Sequence, residues 1–122
     1  MRRIPIARPA TASWGQPITR ADFKRLQEGF QPRDMDDKWV CSVDGPTREG
    51  KLVVHFCRSW TGIEHITLKV KGDKKASEIV EITWEKGTGE LKRSEEEAKD
   101  LATILSKNLM GCEWEAVPPC RP

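Results

Sequence analysis

Among its 122 residues the chain has no tyrosine and only two histidines. Five Trp and three Phe therefore carry the aromatic share of any core. No apolar run approaches the length of a membrane-spanning helix. The opening stretch MRRIPIARPATASW is basic, is broken by prolines and has no apolar signal-peptide core, so a cytoplasmic location is expected. The four cysteines, Cys41, Cys57, Cys112 and Cys120, form no CxxC pair, which leaves neither a zinc ribbon nor a redox motif. A Cys112–Cys120 bridge would require an oxidising setting. There is no internal repeat and no sign of a second domain.

What is present fits one polar, folded domain: 37% of residues are apolar and 33% charged. The net charge of +2 hides an asymmetry, because residues 1–33 carry seven basic and two acidic groups, +5, and the remainder carries −3. A basic front end suits an acidic partner or nucleic acid; the plainer reading is a solvated arm followed by the polar face of a helix.

Residues 1–17, with Pro5, Pro9 and Pro17, read as an extended arm. Thr19 can cap a helix that carries Phe23, Leu26 and Phe30 at helical spacing and stops at Gly29. KWVCSVD, KLVVHFC, IEHITLKV and SEIVEITW are β-branched and aromatic runs between turn residues, and each reads as a strand. A second helix runs from about Ser94 to Met110, with a Ser94/Glu97 capping box, a stripe of Ala98, Leu101, Leu105 and Leu109 with Ile104 beside it, and Gly111 as stop. The expected domain is residues 18–110, and 111–122 form an irregular tail. The expected fold is α+β and two-layered: a four-stranded antiparallel meander with an N-terminal and a C-terminal helix on one face.

The hairpin around CRSWTG sets which side chains face outward. A three-residue loop, Trp60-Thr61-Gly62, puts Leu52, Val54 and Phe56 opposite Val70, Leu68 and Ile66 on the inner face. Trp39, Cys41 and Val43 then lie opposite Phe56, Val54 and Leu52, and Val80, Ile82 and Trp84 join from the last strand. On the outer face this register predicts the rows Lys38–Cys57–His65, Val40–His55–Thr67 and Ser42–Val53–Lys69.

The candidate binding residues are Lys38, His55, Arg58, Trp60, Thr61 and His65, with Gly62 as the structural turn residue. Arg58 is expected opposite Glu64 as a surface ion pair, or free to take phosphate with its forked donors. Trp60 either folds back over the core edge or serves as a binding anchor. Cys57 beside Lys38 and His65 has the neighbours of an activated thiol, but neither an orienting carboxylate nor a glycine-rich oxyanion loop accompanies it. His55 and His65 lack a third metal ligand at sensible spacing. Asp36 and Asp37 are paired carboxylates in a polar connector with no evident acid–base partner. No cofactor or metal is expected.

The motifs MDDKW (Met35 to Trp39) and HFCRSWTG (His55 to Gly62) resemble a pattern in small uncharacterised bacterial domains, approximately M-D-D-K-W followed by H-R-S-W-T-G. Some of these are similar to companions or extensions of macro domains, which handle ADP-ribose. The resemblance covers about residues 30–70, and Phe56 and Cys57 interrupt its His-Arg pair. It implies a nucleotide-sugar or phosphate ligand.

Three functions follow in order of expectation. The first is a non-catalytic binding or accessory domain that meets a protein partner or phosphate-bearing ligand through the outer sheet face and the Arg58–Gly62 loop. The second is an enzyme or binder of ADP-ribose or nucleotide chemistry. The third is nucleic-acid binding through the basic arm.

Overall fold

The structure, a computed structural model, describes residues 4–31, 38–72, 77–86 and 94–112. Its elements are β1 (Pro9–Ile18), α1 (Arg20–Glu28), β2 (Trp39–Asp44), β3 (Lys51–Arg58), β4 (Glu64–Gly72), β5 (Ser77–Glu85) and α2 (Glu95–Met110). The sheet has five strands, not the four expected, in the order β1-β5-β4-β3-β2, with every neighbouring pair antiparallel. The fold is α+β, but α1 is not the first element.

Residues 9–17, expected within a solvated arm, form the additional strand together with Ile18. β1 takes the sheet edge beside β5, where a proline's missing N–H costs no ladder bond on the solvent side. Ahead of it, Ala7 and Arg8 donate backbone N–H bonds to Glu85 Oε1, each at 3.2 Å, and Lys86 N–H donates to Arg8 O at 3.0 Å. Ile4 N–H donates to Gly62 O at 2.8 Å and its carbonyl accepts from Glu64 N–H at 2.9 Å. Residues 4–8 thus run across the end of β5 to the start of β4. Arg2, Arg3, Arg33, Asp36, Asp37, Cys120 and the tail from 113 onward lie outside the described residues.

Helix α1 lies against β2 and β3, α2 lies against β5, and the helices touch each other on the same face. The core between them includes Leu26, Leu52, Val54, Phe56, Ile66, Leu68, Ile82 and Ala102, each at most 1% exposed. Thr19 accepts from Asp22 N–H at the start of α1. Ser94 and Glu97 close a reciprocal capping box on α2, and Gly111 ends it in the left-handed region. The buried stripe of α2 is Ala98, Ala102, Leu105 and Ser106, while Leu101 and Leu109 are half-buried and Ile104 is exposed. That stripe is turned slightly from the expected one.

The inner-face register of β3 with β4 is as expected: Leu52↔Val70, Val54↔Leu68 and Phe56↔Ile66. The hairpin loop is one residue longer than expected, because Arg58 N–H bonds Ile63 O and Gly62 N–H closes onto Arg58 O. An extra residue in β4 at Glu64–His65 absorbs the difference, since Cys57 pairs with Glu64 while Phe56 still pairs with Ile66. β2 is shifted by two residues from expectation: Cys41 meets Phe56, Val43 meets Val54 and Trp39 meets Arg58. In β5 a second irregularity falls at Val80, so Ile79, Ile82 and Trp84 enter the core and Val80 is left exposed.

Candidate functional site

These register changes redraw the outer face. One row runs across all five strands as Thr11–Thr83–Thr67–His55–Ser42, with Thr11 and Thr83 hydroxyls 2.9 Å apart. The next row is Ser13–Glu81–Lys69–Val53–Asp44, in which Lys69 and Glu81 are ion-paired at 3.3 Å. The expected row Lys38–Cys57–His65 is not formed, because Cys57 lies between Val40 and Glu64.

His55 sits in the middle of a carboxylate pair. Its Nδ1 is 2.7 Å from Glu64 Oε2 and its Nε2 is 2.9 Å from Asp44 Oδ2. The Thr67 hydroxyl also donates to Glu64 Oε2. Glu64 is buried and Asp44 mostly exposed, so the imidazole joins an interior carboxylate to a surface one. Proton counting limits this arrangement: two carboxylates on one ring need either an imidazolium, or a neutral ring with one proton on a carboxyl. Both ring nitrogens are occupied, so neither is open to a substrate. The β4 bulge is what carries Glu64 to this face.

Behind the hairpin, Trp39 organises a second cluster. The Arg58 guanidinium carbon lies 4.9 Å from the centroid of its ring, a cross-strand cation–π contact. His65 meets Trp39 edge-on, with centroids 5.2 Å apart and planes at 76°. The expected Arg58–Glu64 ion pair is absent; Glu64 is engaged by His55 and Thr67 instead. His65 is only 5% exposed, which makes it a packing residue in this cluster.

Trp60 stands apart from both clusters. It is 73% exposed and does not fold back over the core edge. The turn beneath it is well tied: Ser59 N–H donates to Lys38 O at 2.9 Å, Gly62 N–H to Arg58 O at 2.8 Å, and Ile63 N–H to the Thr61 hydroxyl at 3.2 Å. Of the candidate residues, Lys38, Trp60 and Thr61 are exposed and Arg58 is half-buried, all around this hairpin, whereas His55 and His65 are buried. Sequence reasoning placed Thr67 beside His55 as observed but missed Asp44 and Glu64 as partners of the imidazole, and no spacing signal identifies Glu64 without the bulge.

The described thiols, Cys41, Cys57 and Cys112, offer no nucleophile of the usual kind. Burial, and then the nearby Cys57 and Cys112, push Cys41 up to about 12. Burial, and then the adjacent Asp22 carboxylate, push Cys112 to about 12 as well, and its S–H points at the Asp22 carbonyl 3.9 Å away. Cys57 is 2% exposed. Among the described residues no group of three His, Cys, Asp or Glu side chains is arranged to hold a metal ion. No described helix is long and apolar enough to cross a membrane. Comparison with protein-family models, curated proteins and solved structures gives no match to this chain.

Proposed function

We propose that the domain is a non-catalytic binding module that engages a protein partner through the β3–β4 hairpin and the adjoining outer sheet face. The observation that carries this reading is the exposed Trp60 on a turn fixed by backbone and hydroxyl bonds. A large ring presented on a preordered turn loses little conformational freedom when a partner covers it, which is how aromatic anchors concentrate binding energy. Ile4, 48% exposed, is held beside the same turn by its backbone bonds to Gly62 and Glu64, so two large apolar side chains are presented near one tip. Arg58 and Lys38 supply charge around them.

The catalytic alternative has less support, because both nitrogens of His55 are taken and the described cysteines, Cys41, Cys57 and Cys112, are buried. The nucleic-acid alternative needs its cations on one surface. Arg25 is instead paired with Asp22 at 2.9 Å, and Arg8, from the basic arm, precedes β1, at the opposite end of that strand from Arg20 and Lys24 on α1.

The test is affinity capture from host extract with the wild-type chain, Trp60→Ala, Trp60→Phe and Val80→Ser. A partner recovered by wild type should be lost with Trp60→Ala, regained in part with Trp60→Phe, and kept with Val80→Ser, which removes an exposed apolar group elsewhere. Equal recovery by Trp60→Ala and wild type would exclude the hairpin as the contact surface.

A further inference from the structure

A cleft of about 370 Å³ lies at the other end of β3 from Trp60, between α1 and the β2–β3 loop. Eight strand residues separate the two ends, roughly 25 Å at the usual rise. The cleft is therefore independent of the hairpin. One wall is the α1 face carrying Arg20, Phe23, Lys24 and Gln27, residues spaced i, i+3, i+4 and i+7, which places them on one side of the helix. The other wall is the loop Pro46 to Gly50, and Gly72 lies at the base.

Two glycines keep the base flat. Gly72 N–H donates to Gly50 O at 2.9 Å, and a Cβ on Gly50 would stand 1.9 Å from Gly72 O. A Cβ on Gly72 would stand 2.7 Å from Phe23 Cε1, so the Phe23 ring rests directly on that glycine. Any side chain at Gly72 would displace the ring. The result is an aromatic floor beneath polar walls.

The charge of the walls is one-sided. Arg20, Lys24 and Arg48 line the cleft, and the one acid among the described lining residues, Glu49, is already 3.6 Å from Lys51. Lys24 and Arg48 form no ion pair with any described residue. Three cations converge here in a chain whose net charge is only +2. Such convergence gathers positive potential where a concave wall concentrates it. Two guanidiniums offer planar forks and one ammonium offers a point charge, a donor set suited to the oxygens of a phosphate group. The volume falls at the small end of the range for small-molecule sites, about 300–1,000 Å³, and fits a phosphorylated sugar or a mononucleotide.

We propose that this cleft binds a small phosphate monoester, with Arg20, Lys24 and Arg48 around the phosphate and the carbon skeleton lying against Phe23. Gln27 completes the helix wall with an amide that can donate to or accept from the ligand's hydroxyls. Nothing in this proposal depends on the hairpin.

The experiment titrates the chain with AMP against adenosine, ribose 5-phosphate against ribose, and inorganic phosphate, following backbone amide shifts at Gly50, Gly72 and Phe23 and the heat of binding. The phosphorylated member of at least one pair should bind saturably, its unphosphorylated partner should not, and the shifts should centre on those three amides. Lys24→Ala and Arg48→Ala should each weaken binding about tenfold or more, the usual cost of one charge-assisted contact, whereas Lys107→Ala on α2 should not. Equal binding within both pairs, equal weakening by Lys107→Ala, or no saturable response up to about 10 mM of any phosphate probe would overturn the proposal. Tighter binding of a single-stranded oligonucleotide than of AMP, with shifts extending well beyond the cleft, would overturn it in favour of a polymer surface.

Discussion

Glu64 reaches His55 across the β3–β4 ladder, with Oε2 2.7 Å from Nδ1, because β4 carries one extra residue at that point. Without the bulge, the alternation of the strand would turn Glu64 to the helix-covered face. The same irregularity that lengthens the hairpin therefore creates the buried carboxylate–imidazole contact.

Removing that carboxylate should cost more than removing the other. Glu64 is buried and also accepts from Thr67, so Glu64→Gln leaves interior groups with a weaker partner. A loss of about 1–3 kcal/mol in urea unfolding is expected, the usual penalty for a buried polar group deprived of its partner. Asp44 is 67% exposed, and Asp44→Asn should cost no more than about 1 kcal/mol. A larger effect at Asp44 than at Glu64 would mean that the imidazole is held from the surface side.

The turn beneath Trp60 rests on Gly62, whose φ of 74° is a conformation that side-chain-bearing residues avoid. Gly62→Ala should lower stability by about 1 kcal/mol or more. Trp60→Ala should change it by no more than about 0.5 kcal/mol, because the ring is in water. Thermal melting of the two variants checks both. A Trp60→Ala loss as large as that of Gly62→Ala would show the indole to be part of the packed structure.

Much of this fold is legible in the sequence, and the places where it is not share physical causes. Caps and stops at Thr19, Ser94, Gly29 and Gly111 mark both helices because each satisfies backbone groups locally. The inner register of β3 and β4 follows from matching apolar side chains on one face. Alternation is silent about β2, because a shift of two residues returns every side chain to the same face. β1 carries an inward series, Ala10, Ala12, Trp14, Gln16 and Ile18, yet Pro9 and Pro17 outweigh it unless the strand is taken as an edge. The His55 cluster and the cationic cleft escape for one reason. Both join residues distant in sequence, through a bulge in one case and a helix–loop approach in the other.

Cys41 gives stability a pH dependence at the alkaline end. Its thiol is pushed from 9.0 to about 12 in the folded chain, chiefly by burial. Above about pH 9 the unfolded chain gives up this proton and the folded chain keeps it, so the folded state binds more protons and stability falls as pH rises. The stabilisation is complete below about pH 9 and is lost between pH 9 and 12. Urea midpoints taken across that window should decline more steeply for wild type than for Cys41→Ala, and the absence of tyrosine keeps phenol titration out of the comparison. Parallel curves would show that Cys41 ionises equally easily in both states.

Strand β1 can be tested against the arm that its prolines suggest. Ile18 closes the strand, pairs with Ser77 of β5, is 5% exposed and belongs to the main core cluster. Truncating a buried isoleucine removes its transfer free energy and leaves a cavity, so Ile18→Ala should destabilise by about 2–5 kcal/mol. Thr11→Ala, on the exposed outer face of the same strand, gives the internal comparison, because it loses only a surface hydroxyl contact with Thr83. The two substitutions should therefore differ several-fold in urea unfolding. Amide hydrogen exchange should show protection in β1 wherever its N–H groups face β5. If β1 amides exchange freely, residues 9–17 are an arm after all, and the sheet ends at β5.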